Sequence, residues 1–447
     1  MTTQSTTPSS EPEIPFIAEP GAGTIAGPNL ITHPEDGLKP KKLRIPGLRK
    51  LMWSALFANV GIFLVWGSVP AVLLPLQVES IAGQAGKAGA LAVILTVSSF
   101  AAMLAQPIAG VVSDRTRSRF GRRAPWMVGG TLIGGFALIG MGAANTLVQL
   151  AIAWIIVQVV YNFAQGPLSA ILPDRVPHIA RGAFAAFAGL GSMLGALGGQ
   201  IVGAQFAKTI PAGYLVIGGI ALVLTVLFVV LNPDKSNKSE PKPPFDFRTF
   251  LRTFWVSPRK HPDFFWGFLG RLLLFGGYFM VTGYQLFILQ DYIGLKDKAV
   301  TVVPILGLVS LVGIIISTLI AGPLSDRLGR RRIVAVVAGV ILALSLAFPL
   351  VLPTVTGMLL FSFVSGLGFG AYMGVDAALM SEVLPSKEDF AKDLGVLNIA
   401  ATLPQVLAPG VAGLIVVAAG GYAVLFPIGI VIALLGAFAV IPIKSVK

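Results

Sequence analysis

Two ionisable residues lie well inside apolar stretches of this 447-residue chain: Asp376, alone among twenty acids, and Arg271, alone among thirty-three Lys and Arg. A charge in hydrocarbon is costly, so such groups face a cavity or each other. Paired, the carboxylate stays ionised; parted in a desolvated place, it takes up a proton. The pair is therefore a proton carrier or a purely structural ion pair. Polar residues flank it at helical spacing. Gln158, Tyr161, Asn162 and Gln165 recur at i, i+3, i+4 and i+7, while Tyr278, Thr282 and Gln285 continue the Arg271 face. Tyr372 lies one turn from Asp376, and Asn59, Trp66, Asn398 and Gln405 mark other apolar segments. Amides and aromatic faces suit a polyhydroxylated solute, whose hydroxyls need donors and acceptors while its C–H faces stack on rings. The same groups also serve as interhelical hydrogen bonds, worth roughly 0.6 kcal/mol each.

Other chemistries find no support. The chain has no cysteine, which excludes disulfides and thiol catalysis. The three histidines, His33, His178 and His261, fall in the tail or in loops. No metal-ligand spacing, nucleophile with a base, or phosphate-binding glycine loop is present. The expectation is a non-enzyme without metal or cofactor.

The positioning elements follow from hydropathy. The composition is 55% apolar and 12% charged, against about 25% charged in soluble proteins. Twelve apolar segments occupy 51–77, 89–112, 124–144, 147–172, 182–206, 211–231, 264–290, 299–324, 333–352, 356–380, 394–417 and 422–442. Each is near or above the ~20 residues that cross a ~30 Å hydrocarbon core. Residues 1–38 lack the apolar h-region of a signal peptide and read as a disordered tail. Alternate loops divide the charges unequally: one side holds 28 of the 33 Lys and Arg, the other only Lys87, Lys208, Lys296 and Lys298. By the positive-inside rule both termini are cytoplasmic. The net charge of +13 then serves topology and contact with anionic lipid, with no nucleic-acid partner implied. On this orientation Arg271 lies about two turns in from the cytoplasmic end of the seventh segment, and Asp376 about two turns from that end of the tenth. Their depths match. A surplus of glycine (52 residues, including Gly189, Gly191, Gly195, Gly199 and Gly203) reads as close helix packing.

The halves repeat. Gly110-Val-Val-Ser113-Asp114-Arg115-Thr-Arg117-Ser-Arg119-Phe-Gly121-Arg122-Arg123 recurs as Gly322-Pro-Leu-Ser325-Asp326-Arg327-Leu-Gly329-Arg330-Arg331-Arg332. Gly166 to Pro177 likewise aligns with Gly374 to Pro385. Ordered recurrence of this kind implies an internal duplication. Each charged turn sits between two apolar segments. An aspartate there can meet the positive N-terminal end of another helix, and the arginines can pair with it or with lipid phosphate. Such a turn acts as a latch that closes in one arrangement of the halves and opens in the other. The expected division is a tail with a basic collar (1–50), a six-helix domain (51–231), a linker (232–263), a second six-helix domain (264–442) and a short tail (443–447). In the linker Phe247, Phe250, Leu251 and Phe254 fit one face of an amphipathic surface helix, or else a flexible connection with stray aromatics.

The paired turns resemble the signature loop of the major facilitator superfamily. That resemblance implies the major facilitator fold: an all-α membrane protein of twelve transmembrane helices in two six-helix pseudo-repeat domains, working as a monomer. Three stretches resemble the sucrose/proton symporters of the glycoside–pentoside–hexuronide group: Gln106 to Pro125, Gln165-Gly-Pro167 with Asp174, and Gly395-Val-Leu-Asn398 with Pro404-Gln405. Departures limit the inference. Plant sucrose carriers have an arginine where this chain has Ser169. Melibiose carriers bind sodium through aspartates in their second helix, whereas residues 89–112 contain no acid. The resemblance therefore implies a proton-coupled secondary transporter of a small solute, a sugar or glycoside, in the plasma (inner) membrane. A drug or metabolite/proton antiporter, or a non-transporting solute receptor, remains open on the sequence.

Overall fold

The computed structural model describes residues 47–239, 259, 261–382 and 390–443. The tail, the proposed amphipathic face of the linker and the last four residues lie outside them. Helices account for the fold, and no strand occurs among the described residues. The principal helices are α1 (Leu48–Ser68), α2 (Leu74–Arg115), α3 (Ala124–Gly142), α4 (Leu147–Ser169), α5 (Arg181–Gln205) and α6 (Ile210–Leu231). The second half contributes α7 (Pro262–Thr282), α8 (Ala299–Leu328), α9 (Arg331–Ser345), α10 (Val355–Glu382), α11 (Phe390–Ala419) and α12 (Leu425–Phe438). Ten stretches among the described residues are long and apolar enough to cross a membrane. The first, Leu48–Arg115, is 68 residues, far beyond the ~20 of one crossing. It turns at Gly83 (φ 69°, ψ 175°), a conformation that glycine adopts without steric cost.

Two π-helical turns interrupt the helices. Val69–Leu73 joins α1 to α2 and carries Pro70, and Ile288–Tyr292 follows α7. Such bulges mark functional places in helices, and both lie on the face opposite the signature loops. Below, that face is called the far face and the other the signature face.

The glycine surplus brings backbones together. A Cβ added at Gly195 of α5 would lie 2.6 Å from the Val60 carbonyl oxygen of α1, and Gly191 and Gly199 meet Leu56 and Leu64 in the same way. In the second half a Cβ added at Gly277 of α7 would lie 2.6 Å from the Gly429 carbonyl oxygen of α12, and one at Gly313 of α8 would meet the Phe363 carbonyl of α10. Gly195→Val should remove most folded protein. Backbone must move here, so the cost exceeds the ~1–3 kcal/mol of ordinary overpacking. Monodisperse yield after extraction checks this, and wild-type yield would contradict it.

The chain halves touch through α2 with α11 and α5 with α8. These contacts lie toward the far face. The Tyr284 hydroxyl is 3.2 Å from the Ala88 carbonyl of α2 and 3.0 Å from the Pro409 carbonyl of α11. Gly410 packs on Thr96, Gly413 on Ala92 and Tyr284, and Gly307 on Gln200.

Candidate functional site

On the signature side of these contacts, residues of both halves enclose a cavity of about 730 Å³, within the ~300–1,000 Å³ of small-molecule sites. Its wall carries the amides of Gln106, Gln158, Asn162, Gln165, Gln200, Gln285 and Gln405. Hydroxyls come from Ser99, Thr282, Ser310, Ser362, Ser365 and Thr402, and rings from Phe63, Trp66, Tyr278, Phe279 and Phe361. Among the described residues, no Asp, Glu, Lys, Arg or His lines it.

Helical geometry explains which expected residues arrive. On α4, at about 100° per residue, Gln158, Asn162 and Gln165 fall within a narrow arc, and Tyr161 stands about 60° off Gln158. All three amides line the cavity. Tyr161 instead turns to α3, where its ring fills the space beside Gly134, and packs edge-on to Trp66 at 6.1 Å. Its place is packing, and its hydroxyl is buried without a partner. Trp66 Nε1 donates to Gln165 Oε1 at 3.0 Å, tying α1 to α4. Asn162 Nδ2 donates to the Gln158 carbonyl at 2.8 Å, which leaves its own oxygen free to accept from a solute.

Other expected residues separate. Tyr278, Thr282, Gln285 and Gln405 line the cavity. Asn59 does not: its amide donates to the Ala55 carbonyl (2.8 Å) and accepts from Ser192 Oγ (3.4 Å), a packing role between α1 and α5. Tyr372 is buried off the cavity, edge-on to Phe275 at 5.5 Å. Asn398 lies on α11, its side chain outside the described set.

Arg271 and Asp376 do meet, with Nη2 and Oδ2 3.2 Å apart and side chains 13% and 4% exposed. The Asp376 carboxyl is buried, with the Tyr372 hydroxyl beside it. Neither residue of this pair lines the cavity. Arg271 shares the face of Tyr278 but lies seven residues nearer the signature side, roughly 10 Å along the axis. Aromatic rings fill the interval: Phe275 packs on Phe369 at 5.3 Å, and Phe369 on Tyr278 at 5.4 Å. The charges are thus set apart from the solute space by a ring layer.

The described residues of the first signature loop form an ion network within their own half. Arg123, 8% exposed, holds Asp114 Oδ1 at 2.8 Å and Asp174 Oδ2 at 3.0 Å, and Arg122 holds the same Asp174 oxygen at 2.8 Å. Gly121 (φ 80°) leaves room for Asp234, which pairs with Arg175. Burial pulls the Arg175 guanidinium down from its ordinary range, and Asp174 opposes that. Asn237 straps the loop by bonding Ser118 N and the Thr116 carbonyl, both at 2.9 Å. Gly110 faces open space, and Arg115 has a partner of its own.

The second loop differs. Gly322 faces open space, and Gly329 (φ 58°) caps α8 through its N–H to the Ser325 carbonyl. Arg332 binds the carbonyls of Ile441 and Ile443, and Arg327 and Arg330 are exposed. The side chains of Asp326 and of residues 390–401, the first turns of α11, lie outside the described set. Sequence reasoning missed Gln106, Gln200 and the serines of α8 and α10 as cavity residues. Gln106, Gln200 and Ser310 are single polar residues in apolar runs, and Ser362 and Ser365 share a face at i and i+3 but are a pair of small hydroxyls rather than a stripe of amides.

Comparison with known proteins follows this geometry. The chain is 29% identical over 181 residues to the general alpha-glucoside permease of Schizosaccharomyces pombe, covering 34% of this chain and 33% of that protein. It is 28% identical over 322 residues to the MFS transporter asaE of Aspergillus flavus, covering 70% of this chain and 68% of that one. In structure it resembles a mutant form of the nucleoside transporter NupG with a TM-score of 0.71 at 14% identity, over 88% of this chain and 99% of that one. That likeness shows an all-α multi-spanning membrane fold of the major facilitator kind. The profile of the family described as MFS/sugar transport protein matches residues 62–443, and the chain belongs to that family.

Proposed function

We propose that this transporter moves a neutral, polyhydroxylated solute, a sugar or glycoside, by alternating access of two six-helix halves, with proton coupling. One observation carries the reading: the cavity between the halves is walled by amides, hydroxyls and rings, with no Asp, Glu, Lys, Arg or His lining it among the described residues. A charged solute entering it would lose water without meeting a counter-ion. A hydroxylated one finds donors, acceptors and stacking faces. A lipophilic cation, the cargo expected of a drug antiporter, would meet no carboxylate there. The names of the glucoside permease and of a sucrose transport protein of Arabidopsis thaliana, 28% identical over 144 residues, point the same way. The signature face, with its 28 Lys and Arg, is the cytoplasmic one. In this arrangement the contacts between halves close the far face, so the cavity serves the cytoplasm.

A thermal-shift panel of the purified protein tests the reading. Neutral glycosides should raise the Tm by mass action, and uronides and lipophilic cations should not. Gln165→Ala should weaken the stabilising glycoside several-fold, since a lost hydrogen bond is worth about 1 kcal/mol. Stabilisation by cations alone would overturn the neutral-solute assignment.

A further inference from the structure

The far face carries an ion cluster that the transport reading leaves unused. Glu79 and Lys87 flank the Gly83 turn in the first half of the chain, and Gln290 and Asp291 sit in the π-helical turn of the second. Lys87 Nζ is 2.8 Å from Glu79 Oε1 and 2.9 Å from Asp291 Oδ2, with its side chain 1% exposed. It also lies over the Phe287 ring, 4.6 Å from the centroid. Two amides cross in opposite directions: Gln290 Nε2 donates to Glu79 Oε2 at 3.0 Å, and Gln84 Nε2 to Asp291 Oδ1 at 2.7 Å. Tyr422, before α12, is the further titratable group facing Asp291 and Glu79. Its ring packs against Tyr284 at 6.2 Å and Phe287 at 6.4 Å.

Three close contacts of this cluster cross the line between the halves: Lys87 to Asp291, Gln290 to Glu79 and Gln84 to Asp291. A buried ammonium is tolerable only while its counter-charges stay in place, and removing one partner leaves an uncompensated charge. Glu79 is on the same side of the line as Lys87 and stays with it. Asp291 belongs to the other half. The closed far face therefore depends on Asp291, and parting of the halves must let water reach Lys87.

We propose that Lys87 is a positioning residue for transport, the centre of a Glu79–Lys87–Asp291 clasp that holds the far face shut and that protons arriving from that face loosen. This rests on the alternating-access reading above. The sign follows from charge. With both carboxylates ionised, the cluster joins one cation to two anions and closure is favoured. Protonation of either in acid removes an attraction, leaves the Lys87 charge less well met and favours the open form. A proton-rich far side would then open the transporter toward itself, without the clasp proton being carried through.

The test needs no knowledge of the solute, because the chain has no native cysteine. Spin labels on Lys208→Cys and Thr301→Cys, exposed positions on the far side in the two halves, report the gap by pulsed electron resonance. The wild-type background should give a short distance at neutral pH and a growing long population on acidification. Asp291→Asn should show the long population at neutral pH. Lys87→Met should reverse the pH response, since two facing carboxylates repel when ionised and stop repelling when protonated. Exchange of the charges, K87D with D291K, keeps one cation and two carboxylates and should restore the short distance.

A structural role alone would lower stability without reversing the pH response or being rescued by exchange. Wild-type distances and pH response in Asp291→Asn and Lys87→Met, with the proteins folded, would overturn the proposal. Glycoside counterflow in proteoliposomes checks alternating access separately, so failure of the clasp and failure of that reading are told apart.

Discussion

Asp376→Asn should abolish proton-driven accumulation of the solute while leaving its binding and its exchange intact. The reason is the isolation of the charge pair. Asp376 and Arg271 meet at 3.2 Å, and the ring layer of Phe275, Phe369 and Tyr278 divides them from the cavity. Neutralising the aspartate therefore removes no solute contact. Under the proposed coupling it does remove the carboxylate that would take a proton when the two are drawn apart, because a buried unpaired charge costs several kcal/mol. Arg271→Lys should keep part of the activity, since an ammonium cannot reproduce the fork of the guanidinium. The double variant Arg271→Gln with Asp376→Asn leaves no orphan charge and should be folded but uncoupled. Concentrative uptake and exchange, measured side by side as a function of pH, check this. Accumulation that survives in Asp376→Asn with unchanged pH dependence would exclude this residue as the proton carrier.

Gly413→Val should hold the far face open and stop the cycle. A Cβ at this position would meet Ala92 of α2 and lie 2.6 Å from the Tyr284 hydroxyl, the group that spans the Ala88 and Pro409 carbonyls. The Ala92 contact, unlike that with Tyr284 of the same half, exists only when the halves are closed on that side, so the open form escapes that clash. Overpacking of about 1–3 kcal/mol, applied to one conformer alone, shifts the balance between the two by roughly 5- to 150-fold. The Lys208 and Thr301 labels should report the long distance at neutral pH, with thermal stability close to that of the parent. A short distance in this variant would show that closure does not depend on the approach of α11 to α2.

Much of this was legible in the sequence for definite physical reasons. Helices in lipid must satisfy their own backbone, so apolar runs locate every helix from α1 to α12, but not all their ends: α2 begins at Leu74 rather than 89, and α1 ends at Ser68 rather than 77. The α4 amides were legible because three of them share one narrow arc. Tyr161 was misplaced by the same rule: its spacing fits the stripe, but its azimuth sends it to the gap beside Gly134, which only the position of α3 reveals. Arg271 and Asp376 were found as partners from matched depth, which rise per residue supplies. Their distance from the cavity was not, since it depends on where Phe369 of one helix falls between Phe275 and Tyr278 of another. Lys87 was counted as a loop charge because nothing local distinguishes a solvated lysine from a buried one. Its burial is produced by Asp291, 204 residues away.

Counterflow in proteoliposomes tests the central claim most directly. Vesicles preloaded with the glycoside that best stabilises the purified protein, diluted into trace labelled glycoside, should take up label transiently without any proton gradient. A uronide of the same size should support none. A protein that binds the glycoside yet shows no counterflow, or that exchanges the charged analogue as readily as the neutral one, would contradict the account.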